Sequence, residues 1–167
     1  MNKLSKRIKE LINLCGKHKV YADIGCDHGY ITLELLKQNK AEKVYAVDIH
    51  SKSLDKTKIL LEENKLESNA EFIVSDGFTK LYNNAKSSID CAVIAGIGGK
   101  ETIKILQQYQ PNHLVLQPMK NVYELRIFLV NNGYFIEKDY LFKEKNKFYD
   151  FISCKKGESQ QLTTLEL

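Results

Sequence analysis

Val20-Tyr-Ala-Asp-Ile-Gly-Cys-Asp-His-Gly29, continued by Tyr30-Ile-Thr-Leu-Glu-Leu-Leu36, is the stretch whose reading decides the fold. Val20 to Ile24 is an apolar run of strand length, and the residues from Tyr30 onward have the spacing of an amphipathic helix. Between them lies a loop with glycines at 25 and 29. Gly25 permits a bend that a Cβ would obstruct, and Gly29 lets the helix start lie close to the strand or to a ligand. The helix start leaves amide N–H groups for an anionic or carbonyl-bearing ligand. Strand, glycine loop and helix, in that order, are what a nucleotide-type site requires, although a plain strand-to-helix turn has the same order. The glycines are four apart with Cys26, Asp27 and His28 between them, so the loop is not G-x-G-x-x-G. A pyrophosphate would find Asp27 a poor neighbour. Asp23 and Asp27 suit a ligand carrying an ammonium group and hydroxyls, the chemistry of S-adenosylmethionine rather than NAD.

Outward from this unit the pattern repeats. Lys43-Val-Tyr-Ala-Val-Asp48 is a second strand ending on an acid, about where dinucleotide folds place a carboxylate on ribose hydroxyls. His50-Ser-Lys-Ser caps a helix reaching about Lys65. Glu71 to Val74 is a third strand, stopped by Ser75-Asp76-Gly77. Asp90 to Ala95 is a fourth, ending in Gly96-Ile-Gly-Gly99 before a helix from Lys100 to about Tyr109. His113 to Gln117 is a fifth strand stopped by Pro118, and a helix from Asn121 to Asn131 follows. Tyr134 to Phe142 and Lys147 to Cys154 form an antiparallel hairpin. Leu4, Ile8, Leu11, Ile12 and Cys15 mark an N-terminal helix with Ser5 as N-cap and Gly16 as its stop. These elements predict an α/β fold: a mostly parallel sheet with an antiparallel C-terminal pair and helices on both faces. Residues 1–156 form one domain, and 157–167 a loose polar tail.

Six of the nine glycines (25, 29, 77, 96, 98 and 99) fall just after strand ends. Asp23, Asp27, Asp48 and Asp76 gather at the same edge. In an open parallel sheet that edge is the ligand crevice, so glycines and acids point to one site.

Composition excludes several classes. The chain of 167 residues is 43% hydrophobic and 28% charged, ordinary for a soluble globular protein. No apolar run approaches a membrane span and the lysine-rich start lacks a signal-peptide centre, so the expected location is the cytoplasm. Four scattered cysteines without a C-x-x-C pair give no metal or redox motif, and the three in apolar contexts are expected to be reduced core thiols. The net charge of +4 is uneven: residues 1–20 carry six Lys/Arg against one acid, and residues 138–156 six against three. Such ends suit either a solvated surface or a polyanion.

Tyr21-Ala-Asp-Ile-Gly-Cys-Asp-His-Gly-Tyr30, Ser75-Asp-Gly77, Ile94-Ala-Gly-Ile-Gly-Gly99 and Leu116-Gln-Pro118 resemble, in this order, the signature blocks of the bacterial tRNA (adenine-22 N1)-methyltransferase family. Leu4-Ser-Lys-Arg-Ile8 resembles that family's opening helix. The resemblance covers about residues 4 to 155. It implies a Rossmann-like class I methyltransferase fold with seven strands, S-adenosylmethionine as methyl donor and tRNA as substrate. It places Asp23, Gly25 and Gly29 beside the donor's methionine moiety and Asp48 on its ribose. Asp76 then faces the adenine amino group and Ala95-Gly96 underlies the sulfonium, with Cys26, Ile49 and Gly77 completing the cofactor set. Asp27, Gly96, Gln117 and Pro118 become the catalytic candidates. Lys6, Arg7, His28 and Tyr30 become the RNA-binding ones. The family usually continues into a helical, coiled-coil-like C-terminal region, whereas this sequence stops soon after its last strand. A monomer or weak dimer is expected. Two other readings stay open on the residues alone: a small-molecule methyltransferase, and an RNA-binding module with a vestigial cofactor fold.

Overall fold

The computed structural model describes residues 3–157; the rest of the expected polar tail, 158–167, lies outside the described residues. One seven-stranded sheet organises the chain. Its strands are β1 (Val20–Ile24), β2 (Lys43–Asp48), β3 (Ala70–Val74), β4 (Cys91–Ile97), β5 (His113–Pro118), β6 (Tyr134–Glu144) and β7 (Lys147–Lys156). They lie in the order β3-β2-β1-β4-β5-β7-β6. The first five are parallel, and β7 runs antiparallel between β5 and β6. The expected hairpin therefore enters the sheet through its second strand and leaves the first at the edge.

The central strands are nearly continuous apolar runs because helices cover both faces. Helices α1 (Lys6–Leu14), α2 (Tyr30–Lys37) and α3 (Ser51–Glu63) place Leu11, Ile12, Leu35, Leu36 and Leu61 against Tyr21, Val44, Val93 and Val115. On the other face, α5 (Gly99–Gln108) and α6 (Val122–Asn131) bring Ile105, Leu106, Leu125 and Leu129 against Ala22, Ile24, Ile94, Leu114 and Leu116. Alternate residues of each strand point into opposite layers, so a one-residue slip would exchange the two cores.

A six-residue helix, α4 (Asn83–Ser88), and a 3-10 turn at Glu67–Asn69 join the expected elements. Asn83-Asn-Ala-Lys-Ser-Ser88 buries no side chain, hence its lack of an apolar signature. Strand β4 runs two residues past its expected end, carrying Gly96 onto the sheet edge.

The start of α1 is fully accounted for. Ile8 N–H donates to Ser5 Oγ (3.2 Å) and Lys9 N–H to Ser5 O (3.1 Å). The other two amides, of Lys6 and Arg7, donate to the carboxylate of Glu144 at the far end of β6 (2.8 and 3.3 Å). A carboxylate at a helix N-terminus is favoured by unpaired N–H groups and by the macrodipole. One side chain thus ties the first helix to the last hairpin, and Tyr140 Oη adds a hydrogen bond to Glu10 (2.6 Å). Among the described residues no helix is long and apolar enough to cross a membrane, and no group of three or more His, Cys, Asp or Glu could hold a metal ion.

Candidate active site

A cleft of about 680 Å³ opens at the carboxyl ends of β1, β2 and β4, within the size range of small-ligand and cofactor sites. One wall is the glycine loop. Gly25 and Cys26 both donate their N–H groups to Val47 O (2.8 and 2.9 Å), binding the loop to β2. Asp48 extends that link. Its Oδ2 accepts from Asp27 N–H (3.0 Å) and its Oδ1 from His50 N–H (2.9 Å), so the carboxylate is held by backbone on both sides. Each oxygen keeps lone-pair capacity for a further donor. Ser75 N–H donates to Asp48 O (3.0 Å), which draws the end of β3 to the same edge.

Asp27 has the left-handed backbone conformation (φ 50°), which Asp tolerates better than most residues. Its side chain is 75% exposed at the cleft, with the carboxylate 3.8 Å from His28 Nε2. His28, Tyr30, Ile49, Asp76 and Gly77 also line the space. Asp76 accepts a hydrogen bond from the Thr79 hydroxyl. At the floor, Gly96 has φ +79° and a Cβ there would meet nothing within 4 Å. It is an open cradle beside Ala95 that any side chain would fill.

Several expected residues stand elsewhere. Asp23 is buried beneath the loop, where the Thr32 hydroxyl donates to its Oδ2 (2.7 Å). Burial pushes its carboxyl up to about 6, a rise that the Thr32 bonds oppose and the negative charges of Asp48 and Asp27 reinforce. Gly29 is needed for another helix: with φ +85°, its Cβ would lie 2.6–2.9 Å from three atoms of Thr57 on α3. Gly98 and Gly99 face Glu101, Lys120 and Asn121, and only Gly96 of that run offers open space to a ligand. Cys26 does line the cleft, but its thiol is buried with Sγ 3.6 Å from Thr57 Oγ1, and burial pushes it up to about 12. Gln117 and Pro118 are buried behind the cleft, and Lys6 is exposed outside it. Arg7, an expected RNA-binding residue, lines the cleft.

Known proteins share this fold. Residues 4–152 match the family model described as a methyltransferase domain. A Mycoplasma pneumoniae protein provisionally named a tRNA methyltransferase is 38% identical over 162 residues, covering 94% of this chain and 74% of its own. The chain belongs to the tRNA (adenine-22 N1)-methyltransferase family. The family's Bacillus subtilis member of that name is 27% identical, with 93% of this chain and 66% of the relative covered. The structure of M. capricolum TrmK in complex with S-adenosyl-homocysteine superposes with a TM-score of 0.88 at 28% identity, covering 99% of this chain and 74% of that one.

The residues present fit the cofactor of such a methyltransferase. The carboxylate of Asp48 is a rigid acceptor pair suited to two ribose hydroxyls, and Asp76 is an exposed acceptor at the adjoining strand end. The empty space over Gly96 leaves room for a bulky sulfonium. Other members of the cleft wall were not foreseen in the sequence: Glu101 and Ile105 of α5, Met119, and Tyr149 of β7. Glu101 and Ile105 have a signal in hindsight, one helical turn apart on the helix that follows the glycine run. Met119 and Tyr149 have none, since the pairing of β7 with β5 brings Tyr149 there.

Proposed function

We propose that this protein transfers the methyl group of S-adenosylmethionine to N1 of adenine 22 in tRNA. Residues 1–156 constitute the methyltransferase domain. One observation carries the reading. A single cleft joins acids suited to the donor, at Asp48 and Asp76, to a second wall made by Arg7 and Tyr149, beside the two basic ends of the chain. Glu144 brings those ends together: Lys3, Lys6 and Lys9 around α1, and Lys143, Lys145 and Lys147 at the hairpin tip, are all exposed. The names of the relatives support tRNA as the polyanion.

The cofactor supplies an electrophilic methyl group. Gly25, Cys26, Asp48, Ile49, Asp76, Gly77, Ala95 and Gly96 surround it, with Asp23 and Gly29 acting from beneath by holding the loop. N1 of neutral adenine attacks with an existing lone pair, so alignment of nucleophile and methyl supplies much of the rate and no strong base is required. The strand-four end Ala95-Gly-Ile-Gly-Gly99 has none of the Asn/Asp-Pro-Pro-Tyr acceptors that an attacking exocyclic amine would need. Asp27 accepts from the adenine N6–H, orients the ring and opposes the positive charge that N1 acquires. The base reaches the cleft unstacked, with His28 and Tyr30 at its rim. The enzyme works in the cytoplasm as a monomer or weak dimer. Incubation with labelled S-adenosylmethionine and unmodified tRNA, followed by mass-spectrometric mapping, tests the reading. Label in N1-methyladenine at position 22 is the expected result, and label at another base or none would overturn it.

A further inference from the structure

Gln117 has no exposed surface. Its amide nitrogen donates to Pro118 O (3.3 Å) and approaches Met119 Sδ (3.4 Å). Its carbonyl oxygen accepts from Arg7 Nη1 (2.8 Å), 110 residues away on α1. The Arg7 guanidinium carbon also stands 5.5 Å from the centre of the Tyr149 ring. A buried amide and an aromatic ring therefore orient one arginine at the cleft wall, and neither carries a charge to neutralise it. Among the described residues Arg7 has no ion pair, whereas Arg126 holds both Asp139 and Asp150. Nor does α1 need this contact as an anchor, because Glu144, Tyr140 and the burial of Leu11 and Ile12 already hold it.

A planar guanidinium with one of its five N–H groups engaged and its charge uncompensated is built to take a bidentate anion. The anion is not part of the base. N1 becomes positive as it is methylated, so a cation against the ring would raise the barrier. We propose that Arg7 clamps a backbone phosphate adjoining the target adenosine, with Gln117 as the positioning residue that aims it. This inference rests on the tRNA reading above and specifies how the same cleft fixes its substrate.

The test uses the full chain and synthetic tRNA with single neutral methylphosphonate linkages 5′ or 3′ to adenine 22. Arg7→Ala should raise the tRNA concentration giving half-maximal single-turnover rate about 10–100-fold, the effect of losing a charge-assisted contact. Its affinity for S-adenosylmethionine should stay unchanged. Arg7→Lys should recover only part of the loss, because a point charge replaces the fork. Gln117→Leu should raise the half-saturating tRNA concentration while the rate at saturating tRNA is retained. At one of the two linkages the neutral substitution should weaken wild type by a similar factor and Arg7→Ala by less than about twofold. Equal sensitivity of wild type and Arg7→Ala to both linkages would overturn the clamp, as would unchanged tRNA affinity in Arg7→Ala. If Arg7→Ala fails to fold, Arg7→Lys carries the same comparison. Failure of wild type to methylate unmodified tRNA at adenine 22 is a different outcome: it removes the tRNA reading, and this inference with it.

Discussion

The proposed function gives the Asp48 carboxylate two tasks, and substitutions there separate them. Toward the protein it accepts from Asp27 N–H at 3.0 Å and His50 N–H at 2.9 Å, and the residue is only 7% exposed. Asp48→Ala removes both acceptors. With hydrogen bonds to charged groups worth about 1.5–3 kcal/mol each, and water replacing part of the loss, stability should fall by about 2–4 kcal/mol. Asp48→Asn is less conservative than its shape suggests. A carboxamide has one acceptor oxygen, so whichever way it turns, its NH2 group meets a backbone N–H. That variant should lose about 1–3 kcal/mol through one broken contact and one donor facing a donor. Toward the cofactor, each lost ribose hydrogen bond should weaken S-adenosylmethionine binding about 10–100-fold. Urea unfolding measures the first task and titration calorimetry on the folded variants the second. Wild-type stability in Asp48→Asn would refute the two-sided anchoring. Wild-type affinity in either variant would refute the ribose role.

Asp27→Asn should fold normally, since Asn is equally at home at φ 50°. It should lower the methyl-transfer rate about 10²-fold at saturating cofactor, and single-turnover recovery to the wild-type rate would assign Asp27 to the cofactor's ammonium group instead. Asp23 predicts a pH signature. Its carboxyl is raised from 3.8 to about 6 in the fold, so its contribution to stability is complete below about pH 4 and is lost as pH rises through 6. The loss is about 3 kcal/mol by pH 7. Asp23→Asn should flatten the difference between unfolding free energies at pH 4 and pH 7 by that order, and an unaltered difference would count against a buried charge there. Replacing exposed Lys6 and Lys145 by Ala should lower the log–log salt slope of tRNA binding by about 1–2, and a flat salt response of wild type would remove the polyanion reading of both basic ends.

The strands were legible because buried parallel strands are apolar runs that end on glycine or acid: β1 and β2 begin and end where the sequence places them. The end of β4 was less so, since Gly96 punctuates the sequence yet lies within the strand. The acids of the cleft wall proposed for the donor were legible for the same local reason, since they stand directly at strand ends. The substrate side was not. Nothing near Arg7 announces Gln117 or Tyr149, and nothing near Gly29 announces Thr57. These contacts span 28 to 142 positions and depend on which helix faces which strand. The location of β7 between β5 and β6 belongs to the same class, because hairpin residues encode their mutual register and not their place in a sheet.

The Glu144 cap on α1 also has a consequence for the order of synthesis. The helix bearing Arg7 leaves the ribosome more than 130 residues before the side chain that seals its N-terminus and the ring beside its guanidinium. Strands β1 to β4 and the loops that meet the cofactor can pair while the chain is still growing. The opposite wall of the cleft must wait for β6 and β7. A nascent chain therefore completes the wall formed at β1 to β4 first and acquires the wall of Arg7 and Tyr149 only when the hairpin folds back against the earlier-made helix.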